Sequence, residues 1–158
     1  MKAVKLVRLD YRLIHGQVIT KWNNIVRATD IIIIDDDLVN DEFMVDIYMM
    51  ASPPGVEVHV YTEDQFIKKM EEGALETGNI LVLLKKVATL KNLLSKGIKF
   101  PEVQIGGLGG GKGRKQIVTG ITVSDAEMDD LREITKEGIR IYFQVTPEEN
   151  KVSFEKFK

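Results

Sequence analysis

Short β-branched and leucine-rich runs alternate with longer amphipathic stretches along the whole chain. The runs at residues 3–9, 30–34, 57–61, 80–84, 103–105, 116–119 and 140–145 predict strands. Several are apolar almost without interruption, the pattern of strands covered on both faces. Between them, apolar positions at helical spacing predict helices at residues 16–24, 41–51, 63–72, 87–95 and 125–137. Thr62 with Gln65 and Ser124 with Glu127 have the spacing of capping boxes, and Gly73, Gly97 and Gly138 stand where helices should stop. Strand-helix-strand units with short connections predict one domain spanning residues 1–158, an open, doubly wound α/β fold. Its sheet is expected to be mostly parallel, of about seven strands, with helices on both faces. Ligands of such sheets bind beyond the carboxyl ends of the strands, so chemistry is sought just after each strand.

Composition narrows the classes. A chain of 158 residues is long enough to remove roughly 70% of its unfolded surface from water. With 29% charged and 44% hydrophobic residues, disordered and fibrous readings fall away. Twenty-two basic against 24 acidic side chains leave a net charge of -2, which gives no electrostatic reason to bind nucleic acid or an anionic membrane. The absence of cysteine excludes disulfides, thiolate metal sites and a cysteine nucleophile, and two histidines argue against a catalytic zinc. The uncharged apolar runs fall far short of the ~20 residues that cross a bilayer, and no targeting segment is evident. A cytoplasmic protein is expected.

Four polar connections follow predicted strands, at residues 10–16, 35–37, 85–86 and 106–114. The first belongs to RLDYRLIHGQV, which places Arg8, Asp10, Arg12 and His15 at the junction of the first strand and first helix. At that helix entrance the amides of Gly16, Gln17 and Val18 would lack intrahelical partners and favour an anion. Gly16 lets the backbone approach a phosphate, and Arg12 is expected to grip two of its oxygens in a planar fork. Imidazole, with an ordinary pKa near 6.5, is a good nucleophile at neutral pH. The set suits a histidine that accepts and donates a phosphoryl group. His59, mid-strand between Val58 and Val60 without an evident charged companion, reads as structural.

The glycine-rich segment IGGLGGGKGR nearly matches a phosphate-binding P-loop at Gly106, Gly111 and Lys112. Gly113 stands where Ser or Thr should hold magnesium, and no helix follows directly. It reads as a flexible loop at the rim of the site or a turn into an edge strand. Asp35, Asp36 and Asp37 read as solvated acids or caps rather than a metal site. Met49 and Met50 read as core, and Lys85 and Lys86 as solvated cations that add positive potential.

The motif R-x-D-x-R-L-I-H-G-Q-V, present without gaps, strongly resembles the signature of the IIB component of the mannose/fructose/sorbose family of bacterial sugar phosphotransferase systems. A later strand ending in IGGL is similar to that family too, and the chain length matches a free-standing IIB protein. The resemblance implies a protein-N(π)-phosphohistidine–sugar phosphotransferase with a seven-stranded, mainly parallel sheet. By the same resemblance His15 takes a phosphoryl group from a IIA partner and passes it to a sugar entering through membrane IIC and IID components. Arg12 would be the phosphate-stabilising cation, Arg8 and Asp10 would hold the active loop, and Gly106 and Gly107 would match the family's glycine segment and bind phosphate with Gly16, Gln17 and Val18. No cofactor or metal is implied, the protein would work at the inner face of the membrane, and a homodimer is a further expectation. The rival readings are a nucleotide-binding regulatory module using the loop at residues 106–114, and a small-anion binding protein without turnover.

Overall fold

The apolar runs pair into a sheet because each is buried from both sides. The computed structural model describes residues 1–16 and 18–158, and the side chains of Val18 and Ile19 also lie outside the described set. The strands are β1 (Val4–Asp10), β2 (Asp30–Ile34), β3 (Glu57–Tyr61), β4 (Ile80–Leu84), β5 (Glu102–Gly107), β6 (Lys115–Val118), β7 (Ile121–Val123), β8 (Arg140–Phe143) and β9 (Val152–Ser153). The helices are α1 (Asn23–Val26), α2 (Glu42–Met50), α3 (Glu63–Glu71), α4 (Val87–Ser95) and α5 (Asp125–Lys136). Seven strands form the main sheet in the order β3-β2-β4-β1-β5-β8-β9, all parallel except the β8–β9 pair. The expected doubly wound fold is present.

Side-chain alternation divides the core into two layers. Ile32, Ile34, Val82 and Leu84 join Phe66 of α3, Leu90 and Leu93 of α4, and Leu131 and Ile134 of α5. Ile31, Ile33, Leu81 and Leu83 instead meet Met44, Val45 and Tyr48 of α2 on the opposite face. A strand that packs on both faces has no solvated side to make polar, which explains the unbroken run of Ile31 to Ile34. Both capping boxes form at the starts of α3 and α5. Gly97 and Gly138 follow α4 and α5 at φ 91° and 90°, a left-handed conformation that other residues adopt only with strain.

Several expectations are corrected. Residues 116–119 do not join the main sheet: all but Thr119, which is in the turn, lie in β6, paired antiparallel with β7 in a separate hairpin. The seventh strand of the main sheet is β9, too short to read from alternation, and it leads into a 3-10 turn whose Phe154 is fully buried against Phe143. The helix expected at residues 16–24 contains a π-helical turn, Val18–Trp22, which passes into α1. Met50 is 79% exposed and Met49 47%, so the pair is surface on α2 rather than core. That helix packs a partly buried Met44, Val45 and Tyr48 stripe against the core and turns Met50 outward with Phe43.

Candidate active site

Central β1 brings the site to the carboxyl edge of the sheet. Val7 and Leu9 pack into the layer of α3, α4 and α5, so the alternating Arg8 and Asp10 turn to the other face. Leu9 pairs with Leu84 of β4 and with Ile105 of β5, but Asp10 pairs with Gly107. Gly106 is therefore an extra residue in β5, a bulge placed beside Asp10.

Asp10 is fully buried and organises the loop that follows it. Its Oδ1 accepts the backbone N–H and Nε–H of Arg12, both at 3.1 Å. Its Oδ2 accepts from Nη2 of Arg12 and Nη2 of Arg8, each at 3.2 Å, and meets His15 Nε2 at 2.9 Å. Burial by itself pushes the Asp10 pKa up. The hydrogen bonds from His15 and Arg12 and the charge of Arg8 outweigh it, and the value falls to about 2. Asp10 is thus a carboxylate that only accepts, and the proton in its contact with His15 belongs to Nε2.

The intervening backbone is a tight turn in which the Leu13 N–H donates to the Asp10 carbonyl at 2.9 Å. Leu13 has φ 55°, unusual for a residue with a branched side chain, and is completely buried. Its apolar anchor holds the turn in this conformation and fixes where His15 emerges. The Tyr11 N–H donates to the Gly107 carbonyl at 3.1 Å, joining the turn to β5.

Arg8 lies beneath the loop, with none of its surface open to solvent. Its Nη1 donates to Gln104 Oε1 at 2.5 Å and to the Gln144 carbonyl at 3.0 Å, and its Nη2 donates to Asp10 and, at 3.1 Å, to the Val145 carbonyl. Trp22, the last residue of the π turn, covers the guanidinium at 5.3 Å and donates Nε1–H to the same Val145 carbonyl. Burial pushes the Arg8 pKa down, opposed by the charge of Asp10. A Cβ built on Gly106 would lie 2.0 Å from that guanidinium. One built on Gly107 would lie 3.2 Å from Asp10 Oδ1 and 3.4 Å from Arg12 Nη2.

The structure thus brings together Arg8, Asp10, Arg12, His15, Gly106 and Gly107, but divides their work. Arg8 and Gly106 sit behind the loop rather than at its open side. Arg12 is partly exposed, and the fork expected to hold phosphate is engaged side-on by Asp10 through Nε and Nη2. Gly16 has open space where a side chain would be. Gln17 lies outside the described residues; Val18 begins the π turn.

Other sequence candidates fall elsewhere. Arg114 ties the rest of the glycine segment to the hairpin and α5, donating to Thr122 and pairing with Glu127. Asp35 caps the 3-10 turn at Leu38–Asn40, and Asp36 accepts the Glu63 N–H at the start of α3. Asp37 pairs with Lys86 at 2.9 Å. His59 does have charged companions, with Nε2 2.9 Å from Asp30 and 3.6 Å from Glu57. Asp30 and Glu57 open β2 and β3, so this cluster lies toward the amino ends of the strands, opposite the His15 loop.

Residues 4–158 match the family described as the PTS system sorbose subfamily IIB component. This chain belongs to that family. The manxB protein of Thermoanaerobacter tengcongensis, a crystal structure, is 34% identical with TM-score 0.85, over 96% of this chain and 92% of that one. The IIBSor domain of the Klebsiella pneumoniae sorbose permease is 27% identical with TM-score 0.88, over 96% and 93%. The N-acetylgalactosamine-specific phosphotransferase enzyme IIB component 1 of Escherichia coli is 28% identical over 94% of each chain. As a IIB component the protein is a phosphoryl carrier in sugar transport, a phosphotransferase that accepts from a IIA partner and serves membrane IIC and IID components. Among its described residues no helix is long and apolar enough to cross a membrane.

Sequence reasoning overlooked Gln104 on adjacent β5, which holds Arg8 by its side chain, and Gln144 just after β8, which holds it by its carbonyl. The signal was there: a glutamine interrupts an otherwise apolar strand in VQIGG and follows one in IYFQ. Such a residue is buried only when something hydrogen-bonds to it.

Two outcomes follow for the IIB component. Gly106→Ala forces its new methyl into a pinned, buried guanidinium and should destabilise the fold by about 1–3 kcal/mol, whereas Gly16→Ala stays within about 0.5 kcal/mol; urea unfolding compares them. Asp10, with a folded pKa of about 2 against 3.8 for the unconstrained group, contributes stability that is full above the unfolded value. That contribution, about 2 kcal/mol, is lost as pH falls from 4 toward 2. Unfolding at pH 7, 4 and 2.5 should show this decline in the wild type and a shallower one in Asp10→Asn.

Proposed function

We propose that His15 is the residue on which this IIB component carries its phosphoryl group, bound through Nδ1. The observation that supports this is the contact of His15 Nε2 with the Asp10 carboxylate at 2.9 Å. A proton held on Nε2 leaves the lone pair of the neutral ring on Nδ1, and the side chain is partly open to solvent.

In uptake, Nδ1 attacks the phosphorus of a phosphohistidine on the IIA partner. The new Nδ1–P bond forms as the donor N–P bond breaks, and the electron pair returns to the donor ring. In discharge, a sugar hydroxyl oxygen attacks the phosphorus and the Nδ1–P pair returns to His15. Its hydroxyl proton goes to a base of the sugar-binding partner. Because Asp10 keeps the proton on Nε2 throughout, His15 departs as neutral imidazole and never as the far more basic imidazolate. Catalysis of this kind rests on positioning and on charge placed around the transferring oxygens.

Arg12 supplies that charge in a manner the sequence did not suggest. Its side-on edge is bonded to Asp10, so the hydrogens remaining on Nη1 and Nη2 form the edge that faces a phosphoryl group. Asp10 then orients both the nucleophile and the cation. Residues 1–158 act in this reading as one IIB domain at the inner face of the membrane. Gly16 and Val18 line the helix entrance beside the transferred group, and Gly107 gives Asp10 and Arg12 the room to pair.

Incubation with phosphoenolpyruvate, the general phosphotransferase proteins and IIA should add one phosphoryl group by intact mass. His15→Ala should abolish the addition and His59→Ala should leave it; labelling that survives His15→Ala overturns the assignment. Rapid-quench transfer from phosphorylated IIA measures the cation. Arg12→Ala should slow transfer on the order of 100-fold to 1,000-fold. Arg12→Lys recovers only part of this, since one ammonium cannot hold Asp10 from the side and two phosphoryl oxygens from the end. Transfer by Arg12→Lys at the wild-type rate would leave Arg12 a diffuse charge only.

A further inference from the structure

Behind His15 a chain of hydrogen bonds crosses three strands, meeting at Asp10 from both sides and running in one donor sense from Arg8 outward. His15 Nε2–H and Arg8 Nη2 both donate to Asp10 Oδ2. Arg8 Nη1 donates to Gln104 Oε1, Gln104 Nε2 donates to Gln144 Oε1 at 3.3 Å and to the Tyr142 hydroxyl at 3.4 Å, and Gln144 Nε2 donates to the Glu149 carbonyl at 2.8 Å. The register makes this possible, since Arg8 pairs with Gln104 and Gln104 with Tyr142 on successive strands.

The sense of each link is determined. A backbone carbonyl only accepts, so Gln144 must turn its amide nitrogen to Glu149 and its oxygen to Gln104. Gln104 then turns its nitrogen to Gln144 and its oxygen to Arg8. Flipping the Gln104 amide would set an NH2 group against a guanidinium, so the orientation is unique. Arg8 has a single charged acceptor, Asp10, and touches the same oxygen that takes the His15 proton. How strongly Gln104 holds Arg8 therefore decides how much of the charge of Oδ2 is left for His15.

We propose that Gln104 is a positioning residue for His15, setting through Arg8 and Asp10 the proton affinity and Nε2–H tautomer of the ring. It is completely buried and acts through Arg8 and Asp10. Its effect on transfer rests on His15 being the acceptor; its effect on the ring does not. The charged and titratable groups around the chain are Asp10 and Arg12 in the loop, Arg8 on β1, and Tyr142 on β8, which has Lys151 over its ring at 4.5 Å and feels the charge of Glu102 on β5. Lys21 of the π turn is paired with Glu148 at 3.1 Å.

Two substitutions push in opposite directions. Gln104→Leu removes an acceptor, directs more of the Arg8 charge onto Asp10 and should lower the His15 titration midpoint. Gln104→Glu keeps the hydrogen bond, neutralises Arg8 and should raise it. Each shift should be on the order of half a pH unit or more, read from the ring nitrogens and protons of the full chain by NMR. His59, whose partners are Asp30 and Glu57, is the internal control and should not move. In transfer from phosphorylated IIA, Gln104→Leu should lower kcat about tenfold with KM unchanged, in line with the effect of orienting groups behind other reactive side chains. A residue that only packs the core would change thermal stability and leave the His15 titration where it was. If Gln104→Leu does not fold, Gln104→Glu carries the test. An unshifted His15 midpoint and tautomer in every variant that folds would overturn the proposal. The titration reads the unphosphorylated ring whether or not His15 is the phosphoryl acceptor, so failure here is distinct from labelling that survives His15→Ala.

Discussion

A fully buried carboxylate survives in a protein only when donors surround it, and Asp10 imposes that requirement on everything near it. Its oxygens take hydrogen bonds from Arg8, Arg12 and His15, and those bonds carry its pKa below the ordinary value despite burial. Each donor then needs its own support. Arg8 needs Gln104 and the carbonyls of Gln144 and Val145, so the chain after β8 must return over β1. The guanidinium needs space, which the bulge at Gly106 provides by having no side chain. Asp10 and Arg12 need similar room at Gly107.

The parallel sheet makes this economical. Because β1 lies between β4 and β5, its last residue emerges at the carboxyl edge flanked by backbone on both sides. The Asp10 turn is further held by the buried Leu13 at positive φ, a conformation that costs on the order of 1–3 kcal/mol and persists only where packing enforces it. The result is a rigid underside and an accessible imidazole. In the role proposed for His15, a carrier that meets two partners at one histidine needs such a ring, oriented before either partner arrives.

The polarity of the β5 and β8 region on this face has the same origin. Where Ile31, Ile33, Leu81 and Leu83 make an apolar layer under α2, the neighbouring strands carry Arg8, Gln104 and Tyr142, with Trp22 over Arg8 and Lys151 over Tyr142. Half of the face is core, and the other half is the support for the loop that carries His15.

Local pattern was sufficient for the parallel strands, the capped helices and the cluster around His15. Continuous apolar runs, S/T-x-x-E/Q spacings and a motif compressed into eleven residues are all properties of neighbours in sequence. The hairpin of β6 and β7, the edge strand β9 and the burial of Phe154 were not legible, because such short segments are defined by the surfaces they meet. For the same reason His59 looked solitary: Asp30 lies in a different strand. The sequence by itself also named Arg12 as a cation with a fork, but which edge of the fork is engaged depends on where Asp10 stands. Gln104, 96 positions from Arg8 along the chain, becomes its partner only through strand register. Sequence determined which chemistry was present; tertiary structure decided which donor faces which acceptor, because a hydrogen bond reads distance and direction in space rather than separation along the chain.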